Sequence, residues 1–401
     1  MTTALQSLLD AAPFDRPAQA VWAEPDLVIL DDLHGPAALR LLAEHFGAHA
    51  PMARPDRIHV VSAIDLESAR PDRIRAHEAL GEFASHYGLV FTHQIGACEE
   101  GCTPMAPRGK GWLIATARKA DPAAAASGCV SIAVQPMDLA GLLATGRMWV
   151  RRPALQRLFI EGSLSQAATV HDLAIGLRPQ MRLGAWACVH WRQCPDPSQV
   201  HALCALLLGD SPACSVFATA QAPANHSSAI AINAAGIVPL LGEGGAARPV
   251  SDEEPTDVDR VYIGSCTTGS VADLRLAAEV LVGRRVHVPT VIAPASMRDV
   301  SLLGCERLAD GGPNLETIFR EAGCDLGLPG CAACVNALGD MQRPAHGTRI
   351  TVVATAVANV STRSVARVLT ASPVTAAAIA LHGRIGGPGV RHSLRTIAAT
   401  A

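Results

Sequence analysis

Aromatic side chains are scarce in this chain, 3% of 401 residues, and charge is sparse at 17%, with a net charge of -3. So few aromatics leave little material for base-stacking platforms, and a slightly acidic balance gives no polycationic face, so nucleic acid is excluded as the expected partner. Long apolar runs are missing too. Ala185 to Trp191 and Ile230 to Leu241 fall far short of the ~20 residues that cross a bilayer, and no membrane partner is expected. Met1 to Pro17 has acids and an early proline where a secretory leader has a basic start and an apolar core, which makes the cytoplasm the expected location. The twelve cysteines lack the density of a disulfide scaffold and fit a reducing compartment where thiols stay free or bind metal. What the chain has in quantity is apolar residues, 49%, over a length that calls for two or three domains.

Short apolar runs alternate with helical patterns along the first part. Asp26 to Leu30, Ile58 to Ile64, Leu89 to Thr92 and Trp112 to Thr116 read as buried strands, and the stretches opening at Gly35-Pro36 and running from Arg73 to Tyr87 read as helices. That alternation predicts mainly parallel sheets covered on both faces, with ligands at the carboxyl ends of the strands. Asp65 follows the second of these strands, as a catalytic carboxylate or a helix cap, and His93 follows the third. An imidazole there titrates near working pH and can also hydrogen-bond an oxyanion. The tone changes near Met148, and Gly242-Glu243-Gly244-Gly245 followed by Ser251-Asp252-Glu253-Glu254-Pro255 reads as a linker. The expected division is therefore 1–150, 151–241, a linker at 242–258, and 259–401. Cys188, Cys194, Cys204 and Cys214 share no short spacing and read as structural.

The most informative stretch is Val261-Tyr262-Ile263-Gly264-Ser265-Cys266-Thr267-Thr268-Gly269-Ser270, where a strand delivers a thiol into a loop of small residues before a helix from Val271 to Leu281. Small residues let the backbone approach whatever the sulfur holds. Later comes Pro329-Gly330-Cys331-Ala332-Ala333-Cys334. Such a pair alone reads equally as a redox couple or half of a zinc site. With Cys266 it makes three thiolates, enough to hold a four-iron cluster with one iron left open to act as a Lewis acid on a substrate oxygen. A closed site with a distant fourth ligand is the other reading.

At these residues the chain resembles the aconitase superfamily, and within it the large subunit of isopropylmalate dehydratase. Ile263 to Thr267 with Asp273-Leu274-Arg275 and Ala277-Ala278 is similar to that family's first cluster motif, Pro329 to Cys334 to its second, and Ala371-Ser372-Pro373 with Ala376 to Ala380 to a later helix. Upstream, His93-Gln94 with Glu100-Gly101 resembles the segment carrying an active-site histidine. The resemblance implies an α/β fold of three stacked α/β/α domains around an iron-sulfur cluster (4Fe-4S type) held by Cys266, Cys331 and Cys334. It implies hydro-lyase activity on a small carboxylated substrate, with catalytic His93 and Asp65 and substrate contacts from Ser265, Thr268, Asn359 and Arg363, Arg367 being a second candidate to balance a carboxylate. It also implies a separate small swivel-domain subunit or a homo-oligomer, because the family's mobile fourth domain would have to be supplied.

The departures are specific. The family's Asp-His pair stands here as Asp65-Leu66, its Asp-Ser-His-Thr motif is replaced by Arg118-Lys119-Ala120-Asp121, its arginine-bearing loop is shortened around Asn359 to Arg363, and the asparagine of its first cluster motif is Thr268. Lys119 becomes a candidate replacement base, since a desolvated lysine loses its proton readily. Cluster residues kept beside a rewritten acid-base set predict a hydro-lyase of non-standard specificity. The alternatives are a cluster-dependent lyase or desulfurase of another substrate class, and a non-catalytic paralogue.

Overall fold

The structure is a computed structural model describing residues 20–32, 34–47, 50–62, 71–93, 113–116, 129–151, 155–165, 168–182, 186–210, 215–218, 229–265, 267–308, 311–327, 329, 350–355 and 366–400. In chain order the elements begin β1 (Ala20–Ala23), β2 (Leu27–Asp31), α1 (Gly35–Phe46), β3 (Ile58–Ser62), α2 (Pro71–Tyr87), β4 (Val90–His93), β5 (Leu113–Thr116), β6 (Val130–Ala133), α3 (Pro136–Thr145), β7 (Met148–Arg151) and β8 (Leu155–Glu161). Then come α4 (Val170–Leu177), β9 (Trp186–Arg192), α5 (Pro197–Asp210), β10 (Ser215–Ala218), β11 (Ala229–Asn233), β12 (Leu240–Glu243), β13 (Ala246–Pro249) and β14 (Thr256–Asp257). The chain closes with β15 (Arg260–Gly264), α6 (Val271–Leu281), β16 (Thr290–Ala293), α7 (Met297–Leu303), α8 (Leu315–Glu321), β17 (Asp325–Leu326), β18 (Ile350–Ala354), β19 (Ala366–Ala371), α9 (Pro373–His382), β20 (Arg384–Ile385) and α10 (Gly387–Thr400). This is the expected α/β class. It forms two compact units: residues 1–160, 181–192 and 196–232, and residues 161–180, 193–195 and 233–401. None of the described helices is long and apolar enough to cross a membrane.

The first unit is built on a five-stranded sheet of order β4-β3-β2-β5-β6, every pair parallel. β2 and β3 are buried along their whole length, which is why they read as unbroken apolar runs and not as alternating ones. One face carries Val28 and Leu30, Ile58 and Val60, Leu113 and Ala115, packed with Ala38 and Leu42 of α1, Leu80 and Ala84 of α2, and Leu139, Leu142 and Leu143 of α3. The opposite face carries Leu27, Ile29, Val61 and Ile114. Strand order reverses between β2 and β5, where one chain direction runs out to β4 and the other to β6. A second sheet, β10-β9-β8-β11, completes this unit together with the β1-β7 ribbon.

The second unit holds a seven-stranded sheet of order β13-β12-β19-β18-β15-β16-β17. Its strands from β19 to β17 are parallel, and β12 and β13 add an antiparallel hairpin at one side. α9 is its central helix: Val374 to Ala380 are all buried, and the run Ala376-Ala377-Ala378 adds only methyl groups, which lets the helix lie close to α6 and β15. A helix apolar on every side belongs inside a core.

The expected linker at 242–258 takes a different form. Gly244 and Gly245, with φ of +59° and +90°, make the two-residue turn of the β12-β13 hairpin, whose register pairs Leu240 with Pro249 and Glu243 with Ala246. Buried Leu241 and Val250 anchor the hairpin in the core, so the glycines serve as a tight turn in place of a flexible tether.

The same hairpin redirects Arg367. This residue was a candidate to balance a substrate carboxylate, but its guanidinium donates to both carboxylate oxygens of Glu243 at 2.8 Å each, and Arg248 joins the same carboxylate at 3.0 Å. It also lies at the amino end of β19, away from the carboxyl edge. The Arg367 hydrogen bonds hold the Glu243 carboxyl below its ordinary 4.5, overcoming the effect of partial burial. A carboxyl whose proton affinity falls on folding adds stability above the unfolded value, and that stability is lost as pH drops through the lower folded value. Melting temperature is therefore expected to decline from about pH 4.5 downward, with Glu243→Gln flattening that limb. A pH series of thermal melts on both proteins checks it, and identical limbs would remove the pair from the account.

Candidate functional site

At the carboxyl edge of the second unit's sheet, β15 ends in Gly264, whose φ is +102°. A Cβ there would lie 2.0 Å from the Ala293 carbonyl oxygen, and one at Gly269 would lie 2.4 Å from the same atom. Two glycines thus let the loop after β15 fold tightly against the end of β16, and the Ala295 N–H closes it by donating to the Gly269 carbonyl at 2.8 Å.

Inside that loop the hydroxyls form one chain. The Gly264 N–H donates to Thr355 Oγ1 (2.8 Å), Thr355 Oγ1 meets Thr268 Oγ1 (2.9 Å), Thr268 meets Ser265 Oγ (3.0 Å), and Ser265 Oγ accepts from the Thr267 N–H (3.2 Å). Ser265 and Thr268 show no solvent exposure at all. This differs from the substrate contact expected for them: both hydroxyls are committed to shaping the loop and tying it to β18. Thr355 was not singled out in the sequence, because its position one residue past β18 gains meaning only when β18 pairs with β15.

The helix that follows is fixed at its amino end. Ser270 and Asp273 form a reciprocal capping box, and Asp299 of α7 accepts from the Val271 N–H at 2.9 Å. Anion capacity at this helix end is thus taken up by the chain's own carboxylates. Buried His171 of α4 approaches Asp273 Oδ1 at 3.2 Å through Nε2. Burial alone would push the Asp273 carboxyl up, but the charge of His171 and the Ser270 hydrogen bonds outweigh it and hold the group below its ordinary value.

Three loops that the sequence marked leave this one edge. Cys266 follows β15 directly, the Pro329 segment follows β17, and Asn359 and Arg363 come after β18 and Thr355. β15, β16, β17 and β18 run parallel, so all three exits face the same way. β15 and β17 are separated only by β16, about 10 Å at ordinary strand spacing. Cys266, Cys331, Cys334, Asn359 and Arg363 themselves lie outside the described residues. The described flanks suit a cluster-bearing thiol: two glycines whose Cβ positions are filled by backbone, small hydroxyl residues on either side of residue 266, and no bulky side chain between them.

The first unit has an edge of the same kind. His93 ends β4 and is exposed, Asp65 lies three residues beyond the end of β3, and Lys119 three beyond the end of β5; the last two are outside the described residues. The described edge adds residues with no motif to reveal them. Asp31 and Asp32 are each 1% exposed and Ser62 is fully buried. His34 N–H donates to Asp31 Oδ1 at 2.8 Å, and Ser62 Oγ donates to Asp32 Oδ2 at 3.3 Å. Buried polar groups gathered at strand ends next to the point where strand order reverses are where such sheets hold ligands.

Burial agrees with the structural reading of Cys188 and Cys204. Cys188 and Cys204 are free, and burial pushes both thiols up, Cys188 to about 12, so neither offers a thiolate to a metal. Cys214 lies outside the described residues.

Residues 219–383 match the aconitase family (aconitate hydratase). The whole chain is similar to the 3-isopropylmalate dehydratase large subunit 2 of Methanopyrus kandleri, 27% identical with 92% of this chain and 94% of that one covered. The chain thus resembles the aconitase superfamily, most directly over that matched stretch. It is also similar to the 3-isopropylmalate dehydratase large subunit of Pyrococcus horikoshii, 25% identical over 96% of this chain and 99% of that one, and to the chloroplastic large subunit of Arabidopsis thaliana, 24% identical over 93% and 82%. A crystal structure of holo aconitase X from Thermococcus kodakaraensis superposes over 88% of this chain and 89% of that one at 12% identity, with a TM-score of 0.44, a likeness too loose to carry detail.

Proposed function

We propose that this protein is a hydro-lyase that adds or removes water on a small carboxylated substrate, using a four-iron, four-sulfur cluster held by Cys266, Cys331 and Cys334. The observation that carries the reading is the departure of the three marked loops from one carboxyl edge, with the loop after β15 packed through glycine against backbone. When bound, such a cluster supplies an open iron that acts as a Lewis acid toward a substrate oxygen. The chain's own residues do the rest. The hydroxyl chain from Ser265 through Thr268 to Thr355 fixes the loop, and Asp273 with Asp299 fixes the helix behind it. His93, Asp65 and Lys119 are the proposed proton-transfer groups, and Asn359 and Arg363 the proposed holders of a carboxylate. With Arg367 already engaged by Glu243, carboxylate binding falls on Arg363.

The relatives are named for isopropylmalate, a hydroxy acid. A hydroxydicarboxylic acid is therefore the class to test first, and Leu66 and Lys119, standing where the family carries histidine-bearing motifs, favour a member other than the usual one. Those relatives are also named as large subunits, which supports a separate small swivel-domain partner, with a homo-oligomer as the other assembly. A cysteine-held cluster fits the reducing cytoplasm.

Protein purified without oxygen is expected to hold about four irons and four sulfides per chain. It should hydrate or dehydrate at least one of a panel of hydroxydicarboxylic and unsaturated acids, alone or with a small swivel-domain protein, followed by absorbance of the conjugated acid. Turnover that persists in iron-free protein would overturn the cluster assignment, and a loaded cluster with no turnover across the panel would overturn the hydro-lyase assignment.

A further inference from the structure

We infer that His77 of α2 is a positioning residue for His93, and that Asp32, Ser62, His77 and His93 form one coupled acid-base unit at the carboxyl edge of the first sheet. The inference deepens the reading of His93 as a proton-transfer group and rests on it.

The register of the sheet produces the arrangement. Val60 pairs with Phe91 and Ser62 with His93, while Leu30 pairs with Val60. Side chains alternate along a strand, so the apolar rows on the α2 face end in Asp32, Ser62 and His93 on three adjacent strands. α2 lies over these ends with Arg73 and His77 four residues apart on one side of the helix. Arg73 reaches Asp32 through its carbonyl at 3.2 Å and its carboxylate at 3.5 Å, and His77 Nδ1 lies 2.9 Å from Ser62 Oγ. The His77 ring meets the His93 ring edge-on with centroids 4.6 Å apart, and Phe91 flanks it at 5.3 Å.

Proton counting fixes the state of His77. Ser62 has one hydroxyl proton and donates it to Asp32, whose carboxylate has none to give. The contact between Ser62 and His77 then needs its proton from the ring, so His77 Nδ1 carries hydrogen and, in the neutral ring, Nε2 carries the lone pair. The charged and titratable groups around His77 are His93 on β4, Asp32 on β2 with Arg73 beside it, and Glu78 on α2 itself. Burial, and then the charge of His93, keep His77 below its ordinary value, while Asp32 and Glu78 pull the other way less strongly. A neutral, tautomer-locked His77 gives His93 a fixed wall, and only one of the two rings carries the extra proton at a time.

The test is two-bond proton–nitrogen NMR of the full chain with labelled histidine, His77 and His93 being assigned by single glutamine substitutions. Wild-type His77 is expected as the Nδ1–H tautomer near neutral pH, and Ser62→Ala should release it to a mixture. His93→Gln should raise the His77 titration midpoint by about half a pH unit or more, because the charge that helps hold His77 down is then gone. Unchanged melting of Ser62→Ala and His93→Gln shows that the fold is intact, and Ser62→Ala alone decides the tautomer if the glutamine variant does not fold. Wild-type His77 in the Nε2–H tautomer, or a His77 midpoint indifferent to His93→Gln, overturns the inference. These readouts need neither substrate nor turnover, so they stand or fall separately from the hydro-lyase reading.

Discussion

Gly264→Ala is expected to be among the most damaging single substitutions in the second unit, costing more than about 3 kcal/mol and yielding insoluble protein or a sharply lowered urea midpoint. Two penalties combine. A left-handed φ of +102° costs an alanine roughly 1–2 kcal/mol, and the new methyl would sit 2.0 Å from the Ala293 oxygen and 2.8 Å from its carbon. The obstacle is main chain of the paired strand β16, which cannot rotate aside as a side chain would. Relief would require parting β15 from β16 or breaking the Gly264 N–H bond to Thr355. Against a total stability of about 5–15 kcal/mol, a loss of this size is a large share. Gly283→Ala is the matched control: its φ is +69° and nothing lies within 4 Å of the added carbon, so it should cost only about 1–2 kcal/mol. Equal urea midpoints for the two variants would show that the packing at Gly264 is looser than described.

Cys266→Ala carries the largest expected effect on activity. Under the proposed function, iron and sulfide fall to background and turnover drops by more than the roughly 100-fold that losing a partner of a metal ligand costs elsewhere. The thermal melt of the first unit should not follow, because its core is built from its own sheet and helices. Iron counts, visible absorbance and turnover measured on one preparation make the check, with Cys305→Ala, a free and exposed thiol, as the control. A variant that loses its iron and keeps full turnover would end the cluster proposal, since the chemistry would then come from other groups.

Much of the architecture was legible because the inner parallel strands are largely buried and therefore write themselves as short apolar blocks: β2, β3, β5, β15 and β18 all appear within a few residues of where those blocks lie, and the more exposed edge strand β4 does so as well. Helix starts were legible where a cap spells them, as at Ser270 and Ser372. The same rule could have revealed α3, whose Gln135-Asp138 capping box and following Pro136 were passed over. The hairpin at 240–249 was misjudged for a different reason: Gly244-Gly245 signals a tight turn and a flexible tether equally well, and only the burial of Leu241 and Val250 decides between them.

The site was legible only where a motif compresses it into one stretch. Position 266 and its glycines are neighbours in sequence, so the loop could be read directly. Ser62 and His77 are fifteen residues apart on a strand and a helix, and Asp32 is thirty residues before Ser62. Nothing in such spacings distinguishes them from other polar residues until strand register aligns them. Ser265 and Thr268 show the same limit: beside a proposed ligand their hydroxyls look like substrate contacts, and the bond from Thr268 to Thr355, brought in by β18, cannot be read from spacing.

The parallel run from β19 to β17 also has a practical meaning. Parallel strands bring their carboxyl ends side by side along one edge, while caps, glycines and the alanine face of α9 stay behind in the frame. Thr355 and Ala366 are accordingly the splice points for exchanging residues 356–365 with those of a relative. The frame then serves as a socket that can be held constant while what is plugged into it is varied.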